Sequence, residues 1–493
     1  MENIKISRGN LSRIRGPVKV PKYSEKDLIP SIIHLGLGHF HRAHQAAYLD
    51  DLLNRGTCRD GIFEINLVPD AFPAAEILRQ QDYLYTLITK NPAGQEDVRV
   101  IGAILGYMNA SEDRGKAIAL AAAENVSLIT MTVTEGGYYY DKEKGIPNLN
   151  EEPVKWDLAN PDNPKTTPGF LAAVLARRYR ENKKPLTIMC CDNVPSNGKV
   201  TESTVLFFCR RHFPEIVPWI EDNVSFPSSM VDRITPGTTP ALVAELEAKY
   251  GITDGWPVCG EDYIQWVLED NFKTRVPDFG TAGVQIVKNV EPYELMKMRL
   301  LNGSHMALAF TSYLLGFRFA DEAIMNPLLN KYIRGIYMEE AGATLEPVPG
   351  INMETYKDIL VSRFSNRNIR DTILRLCSQG SSKMPGFVLN PLADAVRRGL
   401  PYSAFCFAAA SWARFLSGKD EQGNMIPLDD VNGEKMRAAA DNALVNPGAF
   451  LVTAGLKGLD ETLLNLAAHK FKTHLENINR NGIKNALEQF SRD

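Results

Sequence analysis

The sequence predicts a mostly parallel α/β domain over residues 1–290, followed by a mainly α-helical domain over residues 291–493. Three observations predict this fold class. Strand-like apolar runs alternate with helical stretches in the first part, which is typical of a parallel sheet. Near Glu291-Pro292 the pattern changes, and helical segments follow one another without another strand-like run of comparable strength. The length of 493 residues is also too great for one hydrophobic core.

The first domain opens with a strand, a glycine turn and a helix. An apolar run over residues 31–35 stops at Gly36, and residues 40–53 have the apolar spacing of a helix. This order begins a βαβ unit. Further strands are predicted at 63–68, 84–89, 98–105, 126–134 and 186–191. The helices predicted for the second domain cover 293–315, 320–341, 354–363, 369–378, 392–415 and 459–489.

The composition excludes several classes of protein. The formal net charge of −4 argues against a broad nucleic-acid-binding surface. No run approaches the ~20 apolar residues that a membrane helix needs, and the first residues lack the pattern of a signal peptide. The seven cysteines are scattered and odd in number, and Cys190 and Cys191 lie in an apolar run that predicts a buried strand. We therefore expect a cytoplasmic protein with reduced thiols.

Gly36 and Gly38 form a Gly-x-Gly turn between the first strand and the first helix. Gly36 permits the tight turn, and Gly38 lets a pyrophosphate approach the backbone at the helix N-terminus. The third glycine of the usual fingerprint is absent, since His41 stands there, so a purely structural βα turn is the alternative. The turn follows the first strand, where a dinucleotide would bind. The pattern thus predicts an extended Rossmann-type dinucleotide-binding domain.

Asp70 follows the second predicted strand and is a candidate for binding the adenosine ribose. A carboxylate at this place accepts hydrogen bonds from the ribose diol and repels a 2′-phosphate. Asp70 lies 34 residues beyond Gly36, further than the usual ~20, so a solvated turn aspartate is the alternative. We predict NAD rather than NADP as the cofactor.

The segment from Lys297 to His305 places polar residues inside a strongly apolar helix. Asn302 and His305 are three residues apart and share a helical face. Lys297 is rotated away from that face, so all three converge on a ligand only over an irregular turn, which Gly303 would permit. Polar side chains in such surroundings must be satisfied by partners or serve a purpose. An ordinary lysine, a capped asparagine and a core histidine are the structural alternative.

These residues resemble the active-site pattern of the polyol-specific long-chain dehydrogenases, the mannitol dehydrogenase family. The pattern is Lys297-x4-Asn302-x2-His305, and further motifs agree with it in the right order along the chain. They are Gly36-x-Gly38-x-Phe40-x-Arg42-Ala43-His44, Cys191-Asp192-Asn193 followed by Asn197-Gly198, the segment 224–236 that contains Asp232-Arg233-Ile234-Thr-Pro236, and a weaker match through Gly380-Ser-Ser-Lys383.

The resemblance implies a division of labour among these side chains. Lys297 would be the general base that removes the hydroxyl proton as hydride leaves for the nicotinamide, which requires burial to lower its pKa. Asn193 and Asn302 would form a two-amide oxyanion hole, a role that zinc fills in other alcohol dehydrogenases. His305 would hydrogen-bond the substrate. Glu135 would relay a proton between Lys297 and water, with an exposed loop carboxylate as the alternative.

Three further residues are candidates for contacts with the rest of the substrate. They are Asp232, Arg375 and Lys383. For Asp232 the alternative is a buried ion pair with Arg233 that orders the site. Ser378-Gln379 stand where relatives tend to carry His or Asp, and this departure leaves the identity of the substrate open.

The resemblance implies oxidation of mannitol to fructose by a soluble enzyme with a small-molecule substrate. One alternative is a hexuronate reductase of the same superfamily, for which Arg375 and Lys383 would supply the cation that a carboxylate needs. Another is a non-catalytic NAD-binding regulator, which the joint presence of Lys297, Asn193 and Asn302 disfavours. We expect no metal, because the spacing of His34, His39, His41 and His44 matches no common zinc arrangement.

Overall fold

The computed structural model describes residues 3–69, 73–142 and 144–492. The chain divides into two compact units, with the boundary between Val290 and Glu291. Within the described ranges, no helix combines the length and the apolar character that crossing a membrane requires.

The strands lie in the first unit. They are β1 (Ile4–Lys5), β2 (Ile29–Leu35), β3 (Asp60–Asn66), β4 (Tyr85–Lys90), β5 (Glu96–Ile101), β6 (Ile104–Asn109), β7 (Leu128–Met131), β8 (Tyr140–Asp141), β9 (Ile146–Pro147), β10 (Leu186–Cys190), β11 (Val224–Ser225), β12 (Ser229–Asp232), β13 (Ile252–Thr253), β14 (Val258–Glu261), β15 (Gln265–Glu269) and β16 (Gln285–Val287).

A six-stranded parallel sheet organises this unit, in the order β11-β10-β7-β2-β3-β6. The strand order reverses beside β2, since β3 and β6 lie on one side of it and β7, β10 and β11 on the other. In a doubly wound sheet of this kind, ligands bind outside the carboxyl ends of the strands at the point of reversal. The turns that follow β2 and β7 therefore border the expected binding crevice.

Helices cover both faces of this sheet. The α-helices of this unit are α1 (His39–Ala43), α2 (Gln45–Arg55), α3 (Ala74–Arg79), α4 (Arg114–Ala121), α5 (Glu152–Ala159), α6 (Thr167–Arg180), α7 (Asn197–His212), α8 (Val217–Asn223) and α9 (Pro240–Tyr250). Along β2, Ile33 and Leu35 belong to one apolar core and Ile32 to the other. Burial on both faces explains why the strand is a continuous apolar run instead of an alternating one.

The order of elements predicted for the first unit is confirmed, but several of the predicted bounds are wrong. The helix predicted at 40–53 is broken at His44, whose φ of −121° and ψ of −87° are not helical. Residues 98–105 contain the end of β5 and the start of β6, separated at Gly102. The strands after residue 223 were not predicted, because they are short and most lie in small sheets, β14-β4-β5 and β12-β15-β16.

The second unit is helical in the described residues. Its α-helices are α10 (Glu291–Met296), α11 (Gly303–Leu314), α12 (Ala320–Ile324), α13 (Pro327–Tyr332), α14 (Met338–Ala343), α15 (Met353–Phe364), α16 (Ile373–Cys377), α17 (Gly380–Met384), α18 (Asn390–Arg398), α19 (Ser403–Leu416), α20 (Gly433–Asp441), α21 (Pro447–Thr453) and α22 (Glu461–Phe490). π-helical segments cover Lys297–Asn302, Ile333–Tyr337 and Pro385–Leu389.

Two long helices predicted for this unit are in fact divided. The prediction at 320–341 missed the cap at Asn326, whose side chain accepts hydrogen bonds from the amides of Leu328 and Leu329. The prediction at 392–415 ran through Gly399, which ends α18 with a φ of +63°. Both breaks have a recognisable sequence signal, an asparagine cap and a glycine. The short helices α17, α20 and α21 were not predicted.

Candidate active site

The Gly-x-Gly turn closes tightly against the end of β7. Gly36 has a φ of +112°, and a Cβ there would lie 2.6 Å from the carbonyl oxygen of Thr132. Both facts require glycine at this position. At Gly38 the nearest atom to a Cβ would be the Phe40 nitrogen, 4.0 Å away, so this side of the residue is open. A close approach of a phosphate group to this backbone is sterically open. Asp70, the predicted ribose ligand, lies outside the described residues.

Beneath this turn, His34 and His41 stack with ring centroids 3.4 Å apart, and Glu64 lies 2.9 Å from His41 Nε2. The spacing of the histidines did not indicate this carboxylate, because β3 brings Glu64 beside them from a distant part of the chain. The three residues are buried, with ligand atoms within 4.8 Å of one another, and could in principle hold a metal ion. Both ring nitrogens of His34 already contact threonine hydroxyls, at 2.7 and 2.9 Å. The expectation of no metal stays a prediction.

The carboxyl ends of β7 and β10 place Glu135 and Asn193 on exposed turns of the first unit. Between them, the buried carboxylate of Asp192 accepts hydrogen bonds from the amides of Val133 and Thr134, at 3.0 and 2.9 Å, and from the Tyr138 hydroxyl at 2.7 Å. Burial raises the pKa of Asp192 to about 6, although these donors lower it. One carboxylate thus joins the turns that carry two predicted site residues.

Asp232 ends β12 and is buried. Its neighbour Arg233 donates to the carbonyl oxygens of Ala43, at 2.5 Å, and Glu261, at 2.9 Å. Burial lowers the pKa of Arg233 to about 10. Arg233 therefore links the segment after β12 to the end of α1 through hydrogen bonds. This link does not depend on any ligand of Asp232.

In the second unit, the irregular turn expected between Lys297 and Asn302 is present as a π-helical segment. In an α-helix, residues three or four apart lie above one another. In a π turn the backbone hydrogen bonds span five residues, so residues five apart come into line. Lys297 and Asn302 have that separation, and the α-helical turn after them places His305 beside Asn302. This backbone geometry favours the placement of the three residues on one side of the helix.

The reason predicted for the irregular turn is wrong. Gly303 has ordinary helical angles, φ −63° and ψ −43°, and therefore contributes no unusual backbone conformation. Its role is close packing, because a Cβ at this position would lie 2.5 Å from the Tyr337 hydroxyl and 2.8 Å from the carbonyl oxygen of Phe387. The other two π-helical segments supply these atoms. Gly303 is thus the place where all three segments meet.

The polar side chains on this helix lie in an apolar setting. Lys297 is 6% exposed and His305 is 8% exposed. Met296, Leu300 and Leu301 are buried around the lysine, and the ring of His305 lies 4.3 Å from that of Phe364. Packing on an aromatic ring restricts the orientation of the imidazole.

The residues proposed for the distal part of the substrate differ in their surroundings. Arg375 is exposed, and its guanidinium is held by both carboxylate oxygens of Asp371, with Nε 2.5 Å from Oδ1. Lys383 is half-buried in α17, with Nζ 3.4 Å from the carbonyl oxygen of Leu376. Gln379, which departs from the family pattern, has a structural role. Its side chain donates a hydrogen bond to the carboxylate of Asp429 and accepts one from the amide of Val431.

Reasoning from the sequence missed several residues that organise these positions: Glu64, Tyr138, Asp192 and Tyr337. Asp192 stood in the Cys-Asp-Asn motif and carried a signal, because a carboxylate next to a strand end is a common acceptor for turn amides. Glu64, Tyr138 and Tyr337 are distant in sequence from the groups they contact, so no local pattern marks them.

Comparisons with known proteins agree with this architecture. The chain matches the family model of the mannitol dehydrogenase Rossmann domain over residues 30–280 and that of the mannitol dehydrogenase C-terminal domain over residues 289–478. It is 38% identical to mannitol 2-dehydrogenase of Phaeosphaeria nodorum, covering 99% of this chain and 86% of that protein.

Two solved structures are similar over almost the whole chain. One is Pseudomonas fluorescens mannitol 2-dehydrogenase in a ternary complex with NAD and D-mannitol, at 36% identity and a TM-score of 0.92, covering 99% of this chain and all of that one. The other is a substrate-free D-sorbitol dehydrogenase, at 33% identity and a TM-score of 0.86, covering 98% of this chain and 100% of that one. The predicted fold class and the resemblance drawn from the motifs are thereby confirmed. The chain belongs to the mannitol dehydrogenase family.

Proposed function

We propose that this protein is an NAD-dependent dehydrogenase that oxidises mannitol to fructose without a catalytic metal. The observation that carries the proposal is the full-length similarity to an enzyme crystallised with NAD and D-mannitol. In this proposal, residues 1–290 hold the cofactor, and residues 291–493 supply the base and most contacts with the substrate.

The first unit is suited to NAD. The open space beside Gly38 leaves room for a pyrophosphate, and the turn stands where the strand order reverses. Asp70 would accept hydrogen bonds from the ribose and discriminate against a 2′-phosphate. When bound, NAD supplies the hydride acceptor.

Lys297 would remove the proton of the reacting hydroxyl group. Its burial among apolar side chains supports this role, because a base shielded from bulk water exchanges its proton with the substrate instead of the solvent. The π turn is the second support, since it brings Lys297 into line with Asn302 instead of leaving it on another helical face.

Asn193 and Asn302 would donate hydrogen bonds to the substrate oxygen as it gains negative charge. Amide donors that are already in place cost no reorganisation during the reaction, and each is worth roughly 3–4 kcal/mol in comparable sites. This stabilisation would replace a Lewis acid. His305, oriented by Phe364, would hold the substrate hydroxyl, and Glu135 would carry the proton to water.

D-sorbitol is the second candidate substrate, because the similarity to a D-sorbitol dehydrogenase is also full-length. A hexuronate is less well supported. The guanidinium of Arg375 is already bound to the carboxylate of Asp371, so a carboxylate substrate would compete with that pair. Lys383 and Asp232 would then contact neutral hydroxyl groups of the polyol.

The deciding experiment measures the purified protein with several substrates side by side. NAD reduction is followed with D-mannitol and D-sorbitol, and NADH oxidation with fructose, fructuronate and tagaturonate. The proposal expects the highest kcat/KM for mannitol and fructose, with NAD preferred over NADP. Preference for a hexuronate by tenfold or more would replace it with the reductase alternative, and no turnover of any of these substrates would contradict it.

A further inference from the structure

Asp192 lies next to Asn193 but has a separate function in the structure. The residue is 9% exposed, and its carboxylate accepts hydrogen bonds from the amides of Val133 and Thr134 and from the Tyr138 hydroxyl. These donors are in the turn that carries Glu135. Building on the function proposed above, we propose that Asp192 is a positioning residue that fixes the 133–138 turn, and with it Glu135, for proton transfer.

The turn held by Asp192 is strained. Thr134 has a φ of +64° and a ψ of 165°, and Tyr139 has a φ of +50°. A β-branched residue with a positive φ is a genuine conformational outlier. Such residues persist where the surroundings over-determine them, and they cluster at functional sites. The hydrogen bond from the Thr134 amide to Asp192 acts directly on the strained residue. Without it, the turn is expected to relax and Glu135 to move.

Asp192 is itself fixed from the other side. Its carbonyl oxygen accepts a hydrogen bond of 3.1 Å from Asn197 Nδ2, and the same side chain binds the main chain of Ser229 in β12. The ends of β7, β10 and β12 are therefore joined through Asp192 and Asn197. The contact with Asn197 uses the main-chain carbonyl of Asp192, which Asp192→Asn retains, whereas the turn that carries Glu135 depends on the carboxylate.

The three donors explain why an acid stands here although the carboxylate of Glu135 is nearby. Burial raises the pKa of Asp192 to about 6, and the nearby charge of Glu135 contributes to this rise. The two carboxylates therefore lie close enough to influence each other. An asparagine would avoid the repulsion, but its amide nitrogen cannot accept hydrogen bonds from the main-chain donors.

The test is a double-mutant cycle of Asp192→Asn and Glu135→Gln, with kcat for mannitol oxidation measured in each variant and normalised to the number of NADH sites. Asp192→Asn is expected to lower kcat by about tenfold or more, because small misplacement of a reacting group is costly. It should leave KM for NAD within about twofold. The double variant should be no slower than Glu135→Gln alone, because a positioning residue has no effect once the group it positions is gone.

The matched control is Asp254→Asn in the same unit. Asp254 is also buried, and its carboxylate accepts the amides of Thr86 and Trp256 and the side chain of Gln81, at 2.6, 2.8 and 2.9 Å. It should lower stability while kcat stays within about twofold. Hydrogen exchange supplies a readout besides activity, since the amides of residues 133–138 should exchange faster in Asp192→Asn only.

Each outcome decides the matter. If the two substitutions multiply their effects on kcat, if Asp254→Asn lowers kcat equally, or if exchange at 133–138 is unchanged, Asp192 is not a positioning residue. If Asp192→Asn does not fold, Tyr138→Phe removes one of the three donors and should show a smaller loss that Glu135→Gln again masks. An inactive wild-type protein would instead contradict the proposed function.

Discussion

Replacing Gly303 with alanine is expected to disturb the helix that carries Lys297 and Asn302 without unfolding the second unit. The added Cβ would lie 2.8 Å from the Phe387 carbonyl oxygen and 2.5 Å from the Tyr337 hydroxyl. The Cβ would therefore be about 0.6 Å closer to the Phe387 oxygen than van der Waals contact allows. This oxygen belongs to the main chain and cannot rotate away. The helix itself must shift by a distance of that order.

Two opposing terms set the effect on stability. Overpacking of a buried site costs about 1–3 kcal/mol, while alanine in place of glycine stabilises a helix by about 1 kcal/mol. The free energy of unfolding should therefore fall by about 0–2 kcal/mol. Activity should suffer more, because a displacement of about 1 Å can cost a hundredfold, and about 0.6 Å should lower kcat roughly tenfold.

The assay combines denaturant unfolding with steady-state oxidation of mannitol. Gly335→Ala is the control, because Gly335 is an exposed helical glycine and the nearest atom to its Cβ would be Lys331 Cγ at 3.9 Å. This variant should keep full activity and gain about 0.4–1 kcal/mol of stability. Adding Tyr337→Phe to Gly303→Ala should restore part of the activity. Unchanged kcat in Gly303→Ala would refute the packing argument.

Other predictions follow from the proposed roles and from one buried histidine. Asn193→Ala and Asn302→Ala should each lower kcat about a hundredfold or more, with NADH affinity little altered, because the amide hydrogen bonds strengthen as negative charge develops on the substrate oxygen. Activity should survive exhaustive chelation. A stoichiometric zinc that activity requires would contradict this prediction. Asp70→Ala should weaken NAD binding and narrow its preference over NADP, and an unchanged ratio would assign ribose recognition elsewhere. Burial lowers the pKa of His474 to about 4, so the unfolded chain binds more protons than the folded one between pH 4 and 6.5. The free energy of unfolding should therefore fall by about 2 kcal/mol between pH 7.5 and 5. His474→Gln should remove this part of the pH dependence when unfolding is measured in urea.

Much of the fold was accessible from the sequence, because it rests on local patterns. The apolar run before Gly36 predicted the central strand of a parallel sheet, and the change near Glu291 predicted where helices take over. The elements that failed lack such a pattern. Strands of two to five residues such as β11 and β14 are stabilised by pairing with distant strands, and pairing of this kind is not encoded locally.

The roles assigned to the site residues stay predictions, and the local geometry near Lys297 was only partly predictable from the sequence. The sequence indicated that Lys297 and Asn302 need an irregular turn between them, and the π-helical segment provides it. It attributed that turn to the flexibility of Gly303, whereas the structure attributes glycine there to close packing. Contacts from Tyr337 and Phe387 come from segments 34 and 84 residues away along the chain, which no spacing argument reveals.

The central claim is that Lys297 is the base in an NAD-dependent oxidation of mannitol. The most direct test measures the turnover of D-mannitol with NAD by wild-type protein and by Lys297→Ala, together with NADH binding to both. We expect active wild-type enzyme, a variant with turnover lower by ~10²–10⁴-fold, and NADH affinity that is nearly the same in the two proteins. A variant that keeps more than about a tenth of the wild-type turnover, or one that loses activity only because NADH no longer binds, would contradict the assignment.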